Sequence, residues 1–300
     1  DDHNIELFDV KIKMLAPCLS RIILNLIIRF PILYFLIIFF YKIKYPSNFG
    51  VPNLIYSHGG KTSFLNIYFS YLYNCDNFYT SSLRNLSNKL FTKIFTLQNL
   101  DYYNHFRLRT GPSHLDFKIT KENNLWLFCF GGNGSGYKFK ENDIIFYCDL
   151  INNFSKKYNI KWLISTSRRT SKKYENIIKN KLNKKIIKDM ILFNSNDKRS
   201  IKKFYSTCEA IFVSIESTTM ISESINLIKP VILLESSIPT KNEMYLKYIK
   251  NFINNFNLRT VGKYSLEEIY YYVKNFKEYE DPQKELKIFL KKYLEETKNK

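Results

Sequence analysis

Three short segments of this 300-residue chain gather residues suited to holding a phosphate. The first, Gly131-Gly132-Asn133-Gly134-Ser135-Gly136, follows the apolar run at 125–130 and leads towards a helix-like stretch. Glycines let backbone N–H groups approach an anion, and a helix start adds the positive end of its dipole. The second, Ser165-Thr166-Ser167-Arg168-Arg169-Thr170, joins hydroxyls to two guanidiniums, which offer charge and bidentate hydrogen bonds. Neighbouring side chains diverge, so one arginine is expected at the ligand and the other against a loop. The third runs Ser214-Ile215-Glu216-Ser217-Thr218-Thr219-Met220-Ile221-Ser222-Glu223. Ser217 to Thr219 supply a capped helix start with free N–H donors, and Glu223, about one turn further in, suits ribose hydroxyls. Each segment also has an ordinary reading: a tight turn, solvated arginines, or plain capping. A fourth candidate is His58 in Ser57-His58-Gly59-Gly60, at a strand-to-helix turn, because an imidazole is the side chain suited to a general base near neutral pH; a lone histidine is more often a structural residue.

The elements around these segments give them a common address. Strands are expected at 125–130, 161–165, 189–193, 209–214 and 230–235, alternating with helices at 143–157, 172–182, 200–207 and 219–227. Such alternation makes a doubly wound parallel sheet, whose ligands bind beyond the carboxyl ends of the strands. All three segments lie immediately after a strand. Amphipathic closing helices are expected at 243–256, 266–276 and 282–296. Upstream, strands at 52–56, 78–81 and 93–97 and helices at 64–73 and 83–91 predict a second parallel sheet. The segment 101–117 breaks that rhythm and marks the connection, giving domains 1–115 and 116–300.

The most apolar part lies at 15–44, after a weak strand signal at 5–13. Asn25, Arg29 and Pro31 interrupt it, which argues against a bilayer span. A helix pair kinked at Pro31 and edged by Arg21, Arg29, Lys42 and Lys44 fits better, placing peripheral contact with an anionic membrane first, a core helix second and a true span third. The net charge of +19 attracts phosphates of any kind, but the chain is also rich in Lys, Ile, Phe and Tyr together, as biased codon usage produces. Basic residues are scattered, with no aromatic-basic stripe, so nucleic acid is not expected as a partner. Five cysteines without paired spacing and four scattered histidines indicate neither a disulfide framework nor a metal site, and point to a reducing compartment.

In this order along the chain, Thr166-Ser167-Arg168-Arg169-Thr170, the run from Val213 through Glu223, and Lys229-Pro230-Val231 resemble a glycosyltransferase-like family named for mitochondrial fission ELM-type proteins, with many bacterial members. The resemblance covers roughly residues 52–275. It departs at Glu216, where the family has Asp, at Ile228, where it has Gly, and at Ser57-His58-Gly59-Gly60. The family's first strand and Gly-Asp turn have no counterpart, leaving open an incomplete N-terminal domain.

The resemblance implies an α/β, GT-B-like fold: two Rossmann-like domains with parallel sheets facing across a cleft, the C-terminal one holding a nucleotide-diphosphate sugar. It implies sugar transfer without a metal or other cofactor, here to a glycolipid or glycan acceptor linked to the membrane, such as an envelope glycan or lipopolysaccharide core. Gly131, Gly132, Asn133, Thr166, Ser167, Arg168, Arg169, Ser217, Thr218, Thr219, Met220 and Glu223 are the expected nucleotide-sugar residues, and His58 the expected base. The expected location is cytoplasmic, at the inner face of the membrane. A non-catalytic membrane-surface adaptor and a nucleotide-sugar 2-epimerase are the alternatives.

Overall fold

Continuous apolar runs of strand length, bounded by turn residues, build the larger sheet. In the computed structural model, which describes residues 6–113 and 117–298, the chain forms two units, Asp1–Leu108 and Arg109–Lys300. The boundary expected between 115 and 116 lies outside the described residues.

In the second unit, strands β7 (Leu125–Phe130), β8 (Lys161–Thr166), β9 (Ile187–Ile191), β10 (Ala210–Ser214), β11 (Val231–Leu234) and β12 (Arg259–Thr260) form one sheet in the order β12-β11-β10-β7-β8-β9. Every pairing is parallel. Helices α3 (Glu141–Tyr158), α4 (Lys172–Lys181), α5 (Lys202–Thr207), α6 (Thr218–Asn226), α7 (Glu243–Phe256), α8 (Leu266–Lys274) and α9 (Lys284–Lys298) accompany it. All of β7 and β10 is buried, as strands covered on both faces must be. Their register sets Phe212 beside Phe128, with rings stacked 5.5 Å apart, while Trp126 meets Trp162 edge-on at 5.6 Å. The chain runs outward from β7 to β9 and returns to β10 on the other side of β7. That reversal opens a crevice beyond the carboxyl ends of β7 and β10.

The first unit carries a four-stranded parallel sheet, β3 (Leu54–His58), β4 (Asp76–Thr80), β5 (Lys93–Thr96) and β6 (His105–Arg107), with α2 (Ser63–Tyr73) between β3 and β4. Ahead of it, β1 (Lys11–Met14) pairs antiparallel with β2 (Tyr41–Lys44), and the loop between them contains α1 (Pro17–Ile27) and a ten-residue 3-10 segment, Pro31–Phe40. Both units are α/β with parallel sheets.

Several local expectations are corrected. The segment after Pro31 is not an α-helix: Ile-, Phe- and Tyr-rich sequence crowds an α turn, and three residues per turn aligns Tyr34, Ile37 and Phe40 towards the core. Residues 83–91 are no helix except for a short 3-10 turn at Asn88–Leu90. Their carbonyls are served by buried amides instead: Asn77 Nδ2 donates to Leu90 O at 3.0 Å, and Asn104 Nδ2 to Asn88 O at 2.9 Å and Phe91 O at 2.6 Å. β6 and β12, of three and two residues, are too short to show as apolar runs. No helix among the described residues is long and apolar enough to cross a membrane.

Candidate functional site

The loops after β7, β8 and β10 meet at the carboxyl edge of the second unit's sheet. Close approach is possible because three positions lack side chains. A Cβ on Gly131 would sit 2.0 Å from Glu216 Oε1, on Gly132 2.2 Å from the Arg169 carbonyl oxygen, and on Gly134 2.3 Å from Arg169 Nη1. The glycines therefore make room for two other loops. Their first N–H groups are also engaged: Gly131 donates to Ser214 Oγ at 2.6 Å and Gly132 to Glu216 Oε1 at 3.2 Å. Ser135 Oγ donates to Glu216 O at 2.9 Å. Asn133 uses its side-chain oxygen locally, accepting from Phe139 N–H at 2.9 Å.

The loop after β8 is fastened from beneath. Thr170, fully buried, has its hydroxyl 3.0 Å from Phe130 O and 2.6 Å from Gly131 O, and Ser167 N–H donates to Phe130 O at 3.1 Å. Ser167 Oγ accepts from Arg169 N–H at 3.1 Å, a local turn. Thr166 is directed elsewhere: its hydroxyl donates to Glu175 Oε1 at 2.6 Å and accepts from Phe193 N–H at 2.9 Å. The arginines diverge. Arg169 Nη1 lies 3.9 Å from Glu216 Oε1 with its side chain 36% exposed, while Arg168 is exposed and has no side-chain hydrogen bond or ion pair among the described residues.

After β10, Ser217 caps α6 by accepting from Met220 N–H at 3.4 Å. The N–H groups of Thr218 and Thr219 begin the helix, so no earlier turn supplies them with an acceptor; Thr219 is exposed and Thr218 half-buried. Met220 is half-buried beside them. Glu223 is half-buried one turn further on; burial pushes its carboxyl up, opposed by the Tyr205 hydroxyl 3.5 Å from Oε2. The far end of α6 is clasped too, because Asn226 Oδ1 accepts from Thr110 Oγ1 at 2.7 Å and Ser222 Oγ from Gly111 N–H at 3.0 Å.

Glu216 is the central residue that sequence reasoning left out of the site, having noted it only as a departure from a family Asp. It is 1% exposed, and its Oε2 has no hydrogen-bond partner. Burial pushes its carboxyl above the ordinary value, with the Gly132 N–H and the Arg169 charge pulling the other way. Its position just after an apolar strand, at the start of the third phosphate-suited segment, was the available signal in the sequence. His58 lies in the first unit, exposed at the end of β3; its carbonyl accepts from Thr62 Oγ1 at 3.1 Å. Among the described residues, no group of three His, Cys, Asp or Glu side chains is placed to hold a metal ion.

The edge thus presents two helix-start N–H donors, one solvent-facing and one carboxylate-braced guanidinium, and a carboxyl with a spare oxygen. These groups can receive an anion and hydrogen-bond hydroxyls.

Solved structures with related folds include TarM, 13% identical over 74% of this chain and 54% of that one with a TM-score of 0.37. Others are UDP-GlcNAc 2-epimerase from Methanocaldococcus jannaschii, 14% identical over 77% and 73% with a TM-score of 0.49, and ADP-heptose lps heptosyltransferase II of E. coli, 11% identical over 60% and 62% with a TM-score of 0.39. This chain spans about half the length of TarM. No curated protein sequence matches it. A family model does: Mitochondrial fission ELM1 matches residues 93–260, from the start of β5 to the end of β12. More than half of the sequence, including all three converging loops, is covered by that match, and the chain belongs to the Mitochondrial fission ELM1 family.

Proposed function

We propose that the second unit binds a nucleotide-diphosphate sugar at the β7–β10 crevice and that the protein transfers its sugar to a membrane-linked glycan or glycolipid acceptor. The observation carrying this reading is the meeting of three loops that leaves the Thr218 and Thr219 N–H groups and the Arg169 guanidinium at one sheet edge, with the exposed Arg168 on the same loop as Arg169. In transfer, an acceptor hydroxyl oxygen bonds to the anomeric carbon while the bond from that carbon to the diphosphate oxygen breaks. The departing diphosphate carries negative charge, and the role proposed for the helix start and the arginines is to stabilise it. Glu223 is the proposed partner of the ribose hydroxyls, and the role proposed for His58 is to take the acceptor's proton. No bound metal is required in this scheme. The protein would work on the cytoplasmic side, at the membrane surface.

One observation favours the non-catalytic adaptor: Glu216 already supplies an internal anion to the Gly132 N–H and to Arg169. Thermal-shift and calorimetric measurements with a panel of nucleotide sugars separate the two. Stabilisation by at least one nucleotide sugar, weakened about tenfold in affinity by Arg168→Ala or Arg169→Ala, is expected of the transferase. No response to any nucleotide selects the adaptor, and sugar conversion without an acceptor selects an epimerase. His58→Ala should leave nucleotide affinity intact and lower turnover; unchanged turnover removes His58 from the scheme.

A further inference from the structure

The first unit contains a region whose exposed side chains are uneconomical for a surface meeting only water. In the 3-10 segment, Tyr34 and Ile37 are buried, while Ile32, Phe35 and Phe39 are 81%, 57% and 71% exposed. On α1, Leu24 and Ile27 are buried, while Leu19, Ile22 and Leu26, on one face by their spacing, are 61%, 64% and 56% exposed. Large apolar side chains so concentrated on two successive elements mark a contact surface.

The adjoining ribbon identifies what it contacts. β2 begins where the 3-10 segment ends, and pairs with β1 in a register that sets Lys11 opposite Lys44 and Lys13 opposite Lys42. All four lysines are exposed, while Met14 and Tyr41 are buried and Ile12 and Ile43 half-buried on the alternate positions. Like charges directly opposite each other destabilise a strand pair, and these have no ion-pair partner among the described residues. From Lys11 to Cys75 the sequence holds no Asp or Glu, so the apolar segment and both strands of the ribbon carry only basic charge. A ribbon that repels itself beside an exposed apolar segment is matched by a surface that is anionic outside and apolar beneath.

We propose that α1, the 3-10 segment and the β1–β2 ribbon dock on an anionic lipid bilayer, with Phe35 and Phe39 entering the headgroup boundary and the four lysines lying over phosphate headgroups. This deepens the proposed function, from which it takes the membrane-linked acceptor. Docking is peripheral, as no helix among the described residues crosses.

Sedimentation of the full chain with vesicles tests this, using phosphatidylcholine alone and phosphatidylcholine mixed with phosphatidylglycerol. Expected are binding to the mixed vesicles, weakening with added salt, and at least about a tenfold loss in Phe35→Ser/Phe39→Ser. Lys42→Glu/Lys44→Glu converts both cross-strand repulsions into attractions, so its melting temperature should hold or rise while vesicle binding falls about tenfold or more. Absence of binding, or binding unchanged in both variants, overturns the proposal. So does a dimer in solution that Phe35→Ser/Phe39→Ser converts to monomer without any vesicle binding, which assigns the face to a second copy. A nucleotide-sugar thermal shift is read separately: if it persists while vesicle binding fails, only the docking proposal falls, and the converse result removes only the transferase reading.

Discussion

The two ends of β10 carry glutamates in opposite states. Glu209, just before the strand, is 4% exposed, and its carboxylate is saturated: Oε2 accepts from Asn124 N–H at 2.8 Å and Trp126 Nε1–H at 3.1 Å, and Lys274 Nζ donates to both oxygens at 2.9 Å. Burial alone would raise its carboxyl, but Lys274, Asn124 and Trp126 together hold it below the ordinary value. Glu216, just after the strand, is equally buried and has a weak N–H bond, a guanidinium at 3.9 Å and an oxygen without a partner. Its carboxyl is raised. The same residue type, seven positions apart, is thus fully compensated at the amino edge of the sheet and under-compensated at the carboxyl edge. Under-satisfied buried groups cost stability, so the two ends of the strand contribute to it with opposite sign.

The largest loss of stability is expected at Glu209. Glu209→Ala leaves the Asn124 N–H and the Trp126 indole without their acceptor and removes the Lys274 ion pair, and should cost about 3 kcal/mol in urea unfolding. A loss no larger than that of a Glu216 variant would erase the distinction. Next in size is Gly132→Ala, whose Cβ would press on the Arg169 carbonyl: about 2 kcal/mol of stability and the nucleotide-induced thermal shift should both go. An unaltered melting curve would show that the loops do not meet as described.

The smallest effect is the most discriminating. Glu216→Gln removes a costly ionisation while preserving shape, so its stability at neutral pH should lie within about 1 kcal/mol of the parent, on the favourable side. The pH dependences have opposite signs. Glu209, lowered from 4.5, stabilises above that value, and the contribution is lost as pH falls through its folded pKa. Glu216, raised from 4.5, is most favourable below that value, and its contribution is lost as pH rises through its folded pKa. Melting temperatures measured across the acidic range should lose their acid-side decline in Glu209→Gln and their decline on the neutral side in Glu216→Gln; identical profiles would refute the assignment.

The second unit was largely legible from the sequence because each strand is a short apolar run and each helix has its own period: β7 falls at 125–130 and α7 at 243–256, as expected. The first unit was less so, since the amides of Asn77 and Asn104, rather than a helix, serve the carbonyls at 88–91. At the site, hydroxyl- and arginine-bearing loops after apolar strands gave the sheet edge. What each group does there stayed hidden, because the deciding partners are remote: Gly132 bonds to a residue 84 positions away, and Thr166, a nominal ligand group, is held by Glu175.

The borders of the larger sheet bear on whether further strands can add to it. With 25 phenylalanines and 23 tyrosines, it has much to lose from strand-to-strand association. One border strand, β12, has two residues, too few to template an incoming chain; the other, β9, carries Lys188 paired with Glu122, and Asp189 paired with Arg199 at 2.9 Å. The sheet ends on a stub and a charged margin, which deters the addition of strands and growth into fibrils.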